Sequence, residues 1–273
     1  KMRMRALDST PVEALNDAPA RAKGYVALQT HAFLGAYAQN LGTVAPKDTT
    51  RVLCIGNSFT YYCSCPALLK ELAWNEGHYL DVVAALKGGQ NFGQHCNLNI
   101  TADAIARGGY ALAILQDQSQ GPARLARDKK ANIQSLENAV NLAGKVRAMS
   151  PGCKVLVEST WSYAGKKSDF GGFDDHKTFE KLTRKGALMM AKAIGDAQVS
   201  RIEAAFALVR KERPDINLYS SDDKHQSLLG SYLKSCVNYL TIFGEPFGNR
   251  PADCGLDHEI AAYLRSAAER TVL

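Results

Sequence analysis

The sequence lacks the features of a membrane-spanning or low-complexity protein. No apolar run in its 273 residues approaches the roughly 18 that a membrane-spanning helix needs, and no internal repeat is present. The N-terminal stretch KMRMRALDST is basic but carries no apolar segment of the kind found in signal peptides. Because the chain does not begin with Met, it is compatible with an export signal removed earlier, and we favour a periplasmic or secreted location over a cytoplasmic one.

The sequence also lacks the cysteine pattern of a zinc site. Its seven cysteines include a Cys-Ser-Cys stretch, but no second closely spaced pair accompanies it. Cys54 and Cys236 lie in apolar or helical patterns and are expected to be small buried side chains. A disulfide between Cys96 and either Cys63 or Cys65 stays open, and the odd number of cysteines leaves at least one thiol free.

A strong excess of one charge is missing as well. The formal net charge is +6, and basic residues occur in scattered pairs such as Lys129-Lys130 and Arg184-Lys185, not in a run interleaved with aromatic residues. This pattern indicates a solvated, mildly basic surface and argues against a nucleic-acid partner. Apolar residues make up 46% of the chain, which is enough for a large core and argues against global disorder.

Apolar runs and helical patterns alternate from residue 50 onward, which is typical of an α/β domain. Residues 1–49 are interpreted as an N-terminal helical extension. Residues 50–273 are interpreted as one catalytic domain, because no linker divides the chain after residue 50. Apolar strands are predicted at 51–56, 80–86, 110–116 and 153–159, with a further short strand within 216–227. Strands that are apolar throughout suit a parallel sheet buried on both faces. We therefore predict a three-layer α/β/α sandwich with a parallel sheet of about five strands.

The loops that follow these strands carry the residues with chemistry, since ligands of parallel sheets bind at the carboxyl ends of the strands. Ser58 follows the first strand, whereas Asp222 and His225 share a later loop. Serine needs a base to take its proton, histidine needs an acceptor on its other ring nitrogen, and a D-x-x-H spacing lets one turn hold both side chains. Gly88-Gly89 and Gln118 offer the backbone N–H and amide donors that an oxyanion requires.

Each of these residues also has a purely structural interpretation. Ser58 at a strand–helix junction fits a helix N-cap, Gly88-Gly89 fits a plain turn, and Gln118 fits an amide that braces its loop. Asp223 competes with Asp222 as the partner of the histidine, although the three-residue spacing favours Asp222. The combination at successive strand ends is more specific than any single member and favours the catalytic interpretation.

Four short segments, in the same order, resemble the SGNH, or GDSL-type, hydrolase superfamily. GNSF at 56–59 is similar to its first block, GGQN at 88–91 to the second, LQDQS at 115–119 to the third, and DDKHQS at 222–227 to the fifth. The resemblance spans residues 51–243. It implies a flavodoxin-like three-layer fold and metal-independent ester hydrolysis without a cofactor, often of acetyl or other acyl esters of carbohydrates.

The resemblance also implies a role for each site residue. Ser58 would be the nucleophile, His225 the base, and Asp222 the group that orients the histidine. The backbone N–H groups of Ser58 and Gly89, with the side-chain amide of Gln118, would form the oxyanion hole. We thus expect a serine esterase for acyl esters of a small molecule or glycan, with acetyl esters favoured. An acyltransferase with the same triad and a catalytically silent carbohydrate-binding relative are the alternatives.

Two positions depart from the family pattern. Asn57 replaces the usual aspartate before the nucleophile, and Gln118 replaces asparagine in a third block that has lost its glycine and aspartate. The candidates for the substrate pocket are Asn57, Tyr61, Asn91, His95 and Trp161. For His95 a structural role competes with contact to substrate, and Trp161 fits core packing as well as a pocket wall.

Overall fold

The computed structural model describes residues 49–165, 173 and 175–273. The predicted helical extension, except for residue 49, lies outside the described residues, as does half of the loop predicted at 160–175. Within the described part, no helix is both long and apolar enough to cross a membrane.

One parallel sheet of five strands forms the centre of the described part. The strands are β1 (Thr50–Gly56), β2 (Leu80–Leu86), β3 (Leu112–Leu115), β4 (Lys154–Glu158) and β5 (Ala197–Ser200). Their order across the sheet is β2-β1-β3-β4-β5, so β1 lies inside the sheet between β2 and β3. Ile55 of β1 is in register with Ala85 of β2 and Leu115 of β3, which brings these three carboxyl ends to the same edge.

Helices cover both faces of this sheet. In the described residues they are α1 (Ser58–Tyr61), α2 (Cys65–Asn75), α3 (Phe92–His95), α4 (Asn99–Ala106), α5 (Gly121–Arg127), α6 (Ile133–Met149), α7 (His176–Ile194), α8 (Ile202–Glu212), α9 (Leu228–Phe243) and α10 (His258–Val272). Apolar residues of α2, α8, α9 and α10 pack on one face, and those of α4, α6 and α7 pack mainly on the other. The predicted three-layer sandwich is therefore confirmed.

Strand β1 illustrates why the strands appear in the sequence as unbroken apolar runs. Val52 and Cys54 belong to the core on the α2 and α9 side, whereas Leu53 and Ile55 belong to the core on the α6 side. None of these four side chains is more than 2% exposed. Successive side chains of a strand point to opposite faces, so a strand covered on both sides needs an apolar residue at every position.

The fifth strand differs from the prediction. Residues 216–227 form only an isolated antiparallel bridge, between Tyr219 and Gln226. The fifth parallel strand is β5 instead, which pairs with β4. The sequence predicted no strand in this stretch, because it lies between two helical patterns. Because β5 is four residues long, lies at the sheet edge and exposes Gln198, it has no apolar run that would mark it in the sequence.

All seven cysteines lie within the described residues and none of them forms a disulfide, so the disulfides considered for Cys96 are not present. Cys54 and Cys236 are buried, as predicted. Cys63 and Cys65 are buried too, and their Sγ atoms contact the backbone carbonyl oxygens of residues 226 and 231 respectively.

Candidate active site

The chain turns sharply from β1 into α1 at the predicted nucleophile. Gly56 is required there, because a Cβ atom would lie 2.5 Å from the Thr60 hydroxyl oxygen. Asn57 is the N-cap of α1, since its Oδ1 atom accepts a hydrogen bond from the N–H of Phe59 at 3.0 Å. Ser58 is therefore the first residue of α1 and not its cap, and it borders a cavity at the strand ends.

Asn57 also joins three loops at the edge of the sheet. Its Nδ2 atom donates to the carbonyl oxygens of Gln90 at 2.8 Å and Asp117 at 3.4 Å. Its backbone N–H donates to Gln116 Oε1 at 3.0 Å. An aspartate in this position would cap α1 equally well but has no side-chain N–H to donate. The double use of the side chain thus gives a physical reason for asparagine at this position.

Ser58, His225 and Asp222 form one hydrogen-bonded path. Ser58 Oγ lies 2.7 Å from His225 Nε2, and His225 Nδ1 lies 2.5 Å from Asp222 Oδ2. An ionised carboxylate can only accept, so Nδ1 carries the ring proton and Nε2 accepts from the Ser58 hydroxyl. The structure therefore brings together side chains from two loops that are 167 positions apart in the sequence.

Asp222 is surrounded by donors. Its Oδ1 atom accepts hydrogen bonds from the Ser220 hydroxyl at 2.7 Å and from the N–H groups of Lys224 and His225 at 3.0 and 2.9 Å. Partial burial raises the pKa of this carboxyl, but the bonds from Ser220 and His225 outweigh burial and hold the pKa well below its usual range. Asp223, the alternative partner, is exposed and takes a φ of 59° in the same turn.

Two aromatic side chains that closely follow Ser58 in the sequence contact the His225 ring. Tyr62 stacks on it, with ring centroids 4.2 Å apart and planes inclined by 13°. Phe59 lies with its centroid at 4.9 Å from the imidazole. These contacts restrict rotation of the imidazole and keep Nε2 directed at Ser58. The signal in the sequence is the cluster of aromatic residues directly after the serine.

The path opens into a cavity of about 520 Å³. The cavity is lined by Asn57, Ser58, Phe59, Gly89, Gln118, Ser119, Gln120, Tyr163, Lys224 and His225. Gly89 and Gln118, the predicted oxyanion donors, thus border the same space as Ser58. Gly89 takes a φ of 72°, a backbone conformation that favours glycine.

Hydrogen bonds orient the side chain of Gln118. Its Oε1 atom accepts the N–H of Gln120 at 2.9 Å, and its Nε2 atom lies 3.3 Å from Ser119 Oγ. The oxygen end is therefore tied to the backbone of its own loop. An amide nitrogen carries two protons, so one of them stays available for an oxyanion in the cavity.

His95, a candidate for the pocket, lies beneath the cavity and does not line it. Its side chain is 1% exposed, with Nε2 at 3.0 Å from the carbonyl oxygen of Gly56 and Nδ1 at 2.8 Å from Thr101 Oγ1. Burial lowers the pKa of His95 to about 4, so the ring is neutral: Nε2 donates to the carbonyl and Nδ1 accepts from the hydroxyl. His95 therefore braces the end of β1. This is the structural role that the sequence analysis weighed against contact with substrate.

Trp161 is likewise not part of the cavity lining. It is fully buried between Phe59, at a centroid distance of 5.0 Å, and Phe206, at 4.4 Å. Its indole N–H donates to the carbonyl oxygen of Lys224 at 3.0 Å. Trp161 thus supports Phe59 and the loop of the histidine from behind.

Tyr61 and Asn91 also lie outside the lining. The Tyr61 hydroxyl lies so close to Gly88 that a Cβ atom on that glycine would be 2.8 Å from it. Asn91 is exposed and caps α3, with Oδ1 accepting the N–H of Gln94 at 2.9 Å. Of the five pocket candidates, only Asn57 borders the cavity.

The lining contains residues that the sequence did not single out. The hydroxyl oxygens of Ser119 and Tyr163 are hydrogen-bonded at 2.5 Å. Burial raises the pKa of Tyr163, so its phenol stays neutral. Gln120 is nearly buried, whereas Lys224 is exposed at the rim. Ser119 and Gln120 directly follow the predicted donor Gln118, and that adjacency is the only signal for them in the sequence.

No protein-family model matches the sequence, and no curated protein matches it. Solved structures do resemble it. A DUF4886 family protein from Bacteroides uniformis gives a TM-score of 0.67 at 18% identity, covering 82% of this chain and 95% of that chain. A candidate GDSL-like lipase from Parabacteroides merdae gives 0.56 at 11% identity, covering 74% and 98%. A lipase/acylhydrolase from Enterococcus faecalis gives 0.51 at 14% identity, covering 74% and 100%.

At sequence identities this low, the likeness to these structures shows a shared fold and nothing about function. The shared architecture is a parallel sheet of five strands with helices on both faces. It agrees with the fold that the four sequence blocks imply. The chain therefore has the fold of the SGNH, or GDSL-type, hydrolase superfamily.

Proposed function

We propose that the protein is a serine ester hydrolase whose catalytic triad is Ser58, His225 and Asp222. The observation that carries the proposal is the unbroken hydrogen-bonded path from Ser58 Oγ through the imidazole to the carboxylate. A serine that only capped a helix would need neither the histidine nor its carboxylate. Two of the three structural neighbours described above are named as lipases, which are enzymes that hydrolyse esters.

In the first half of the reaction, Ser58 Oγ attacks the ester carbonyl carbon and its proton passes to His225 Nε2. Asp222, kept ionised by its low pKa, stabilises the imidazolium that forms. The negative charge on the carbonyl oxygen is taken by the N–H groups of Ser58 and Gly89 and by the Gln118 amide. Collapse of this intermediate breaks the ester C–O bond, and the leaving alcohol takes the proton from Nε2.

The second half of the reaction repeats these steps with water. His225 Nε2 takes a proton from a water molecule, which attacks the acyl group on Ser58. The same donors bind the new oxyanion. Breakdown returns the proton to Ser58 Oγ and releases the carboxylic acid.

The cavity favours a compact acyl group on a polar alcohol. Phe59 and Tyr163 supply aromatic surface, and Gln118, Ser119 and Gln120 supply amide and hydroxyl groups beside it. A sugar offers apolar C–H faces and several hydroxyls, which match such a mixed wall, whereas a long acyl chain needs a continuous apolar one. We therefore include acetyl esters of carbohydrates in the proposal as the favoured substrates.

A fluorophosphonate probe tests the nucleophile directly. It should label the folded wild type at Ser58, as located by mass spectrometry of the labelled peptide, and should spare Ser58→Ala. Heat-unfolded protein is the control for non-specific reaction. A folded wild type that takes up no label contradicts every enzymatic interpretation of the site.

Product analysis separates hydrolysis from its alternatives. Release of acetate from an acetylated glycan, unaffected by an added alcohol, supports the hydrolase. Transfer of the acetyl group to the added alcohol instead identifies an acyltransferase with the same residues. Binding of the glycan without turnover identifies a silent carbohydrate-binding protein.

A further inference from the structure

A buried ion pair lies directly behind the nucleophile turn. Lys234 Nζ of α9 is 2.7 Å from Glu158 Oε2 at the end of β4, and the two side chains are 1% and 2% exposed. Asn238 Nδ2 donates to Glu158 Oε1 at 2.6 Å and itself accepts from the Ser200 hydroxyl at 2.6 Å. Desolvation of such a pair offsets much of its attraction, so stability alone is a poor explanation for it.

The pair is bonded to the segment that carries the nucleophile. Lys234 Nζ donates to the carbonyl oxygen of Phe59 at 2.7 Å. The Thr60 hydroxyl lies 3.4 Å from Glu158 Oε2. Phe59 and Thr60 are the two residues after Ser58, so the pair holds α1 on the side away from the cavity.

The same carbonyl oxygen also binds the segment that carries the base. Gln226 is fully buried, follows His225 in the sequence, and donates from Nε2 to the Phe59 carbonyl at 3.1 Å. One acceptor therefore joins the two halves of the proposed triad. Because α1 has only four residues, its own hydrogen bonds are too few to hold this geometry.

We propose that the buried Lys234–Glu158 pair positions the triad by fixing the Phe59 carbonyl and, through it, the Ser58–His225 hydrogen bond. The inference rests on the proposed function and adds to it two positioning residues that do not touch substrate. Neither residue of the pair lines the cavity. The pair therefore acts on kcat and leaves KM unchanged.

The test is the double variant Glu158→Gln/Lys234→Met. It removes both charges together at nearly constant volume and keeps an acceptor for Asn238, whereas removal of one partner alone would bury an unpaired charge. Its kcat should fall at least about tenfold at unchanged KM, since a misplacement of about 1 Å near reacting groups can cost about 100-fold in rate.

A matched control removes another ion pair away from the cavity. Arg265 Nη1 lies 2.6 Å from Asp253 Oδ1, and the Arg265 side chain is 7% exposed. The double variant Asp253→Asn/Arg265→Met should therefore keep the wild-type kcat. A further variant, Gln226→Met, removes the other bond to the Phe59 carbonyl without touching a charge and should show the same fall in kcat at constant KM.

Wild-type kcat in Glu158→Gln/Lys234→Met, or an equal loss in the control, overturns the proposal. Geometry gives a readout that does not depend on activity. In crystals of Glu158→Gln/Lys234→Met, Ser58 Oγ and His225 Nε2 should lie more than about 3.5 Å apart, beyond hydrogen-bonding distance. If that variant does not fold, the same distance is measured in crystals of Gln226→Met. An unchanged distance of 2.7 Å overturns the positioning role. A wild type that hydrolyses no ester contradicts the proposed function alone, because the distance still decides the positioning.

Discussion

Asn57→Asp replaces one amide nitrogen in the nucleophile turn by an oxygen. The cap of α1 should survive, because aspartate is as good an N-cap as asparagine. The donor to the carbonyl oxygens of Gln90 and Asp117, at 2.8 and 3.4 Å, is lost. Since the side chain is only 2% exposed, the new oxygen would face these carbonyl oxygens without access to water.

The size and sign of the effect follow from this contact. Leaving buried acceptors unsatisfied costs about 1–3 kcal/mol. The introduced carboxyl is also buried beside carbonyl oxygens, which raises its pKa in the folded state above the value of about 3.9 in the unfolded chain. The folded chain then binds more protons than the unfolded chain, so the free energy of unfolding falls as the pH rises through and above this range. We expect a loss of about 3 kcal/mol at pH 7.5 and a smaller loss at pH 4.5.

Urea unfolding of Asn57→Asp and the wild type at pH 4.5 and 7.5 measures both quantities. Asn91→Asp is the matched control, because Asn91 also caps a helix through Oδ1 but is exposed. The control should stay within about 0.5 kcal/mol of the wild type. If Asn57→Asp is as stable as the wild type at pH 7.5, or if its deficit shrinks as the pH rises, the Asn57 amide does not have this role.

The proposed triad and its surroundings give three further predictions. Asp222→Asn should lower kcat by about 10⁴-fold in steady-state assays, because the amide no longer favours the proton on Nδ1 of the histidine; a loss below tenfold contradicts its role. The pKa of His95 is about 4 when folded and about 6.5 when unfolded, so the unfolded chain binds more protons between these values and stability should rise by about 3 kcal/mol from pH 4 to 7. Urea unfolding of His95→Gln should show a flatter pH dependence, and an identical slope counts against this. Tyr62→Leu removes the ring stacked on the imidazole and should lower kcat about 2- to 10-fold, and an unchanged kcat would show that the stacking has no role in turnover.

The juxtaposition of Ser58, His225 and Asp222, the proposed triad, could be anticipated because its signals are local in the sequence. Ser58 follows an apolar run that ends at glycine, and Asp222 stands three positions before His225 within one turn. Parallel strands bring such loops to one edge whatever their distance along the chain. The apolar runs predicted four of the five strands in the described part of the chain, because a strand buried on both faces needs apolar residues throughout.

The pocket was harder to predict because it depends on side-chain direction. His95 and Trp161 lie in or beside the correct loops, yet both side chains point into the layer beneath the cavity. Ser119 and Tyr163, only a few positions from predicted residues, line it instead. The direction of a side chain after a strand end depends on the turn that follows, and the residue type does not specify it.

Two roles depend on partners that are remote in the sequence. Asn57 donates to loops that follow two other strands, so no local pattern marks its amide as necessary. Lys234 lies in a helical pattern where a lysine usually faces solvent, but it is buried against a glutamate 76 positions away (234 − 158). Neither interaction has a characteristic spacing from which it could be inferred.

The wide separation of the serine and the histidine has a consequence for the life of the chain. Ser58 precedes His225 by 167 positions, and four of the five strands in the described residues are completed between them. During synthesis the proposed nucleophile and the proposed oxyanion donors therefore emerge long before the proposed base. A nascent chain that has formed most of its sheet still holds an inert serine. In refolding experiments, recovery of ester hydrolysis should accordingly trail the return of secondary structure, because long-range contacts form late.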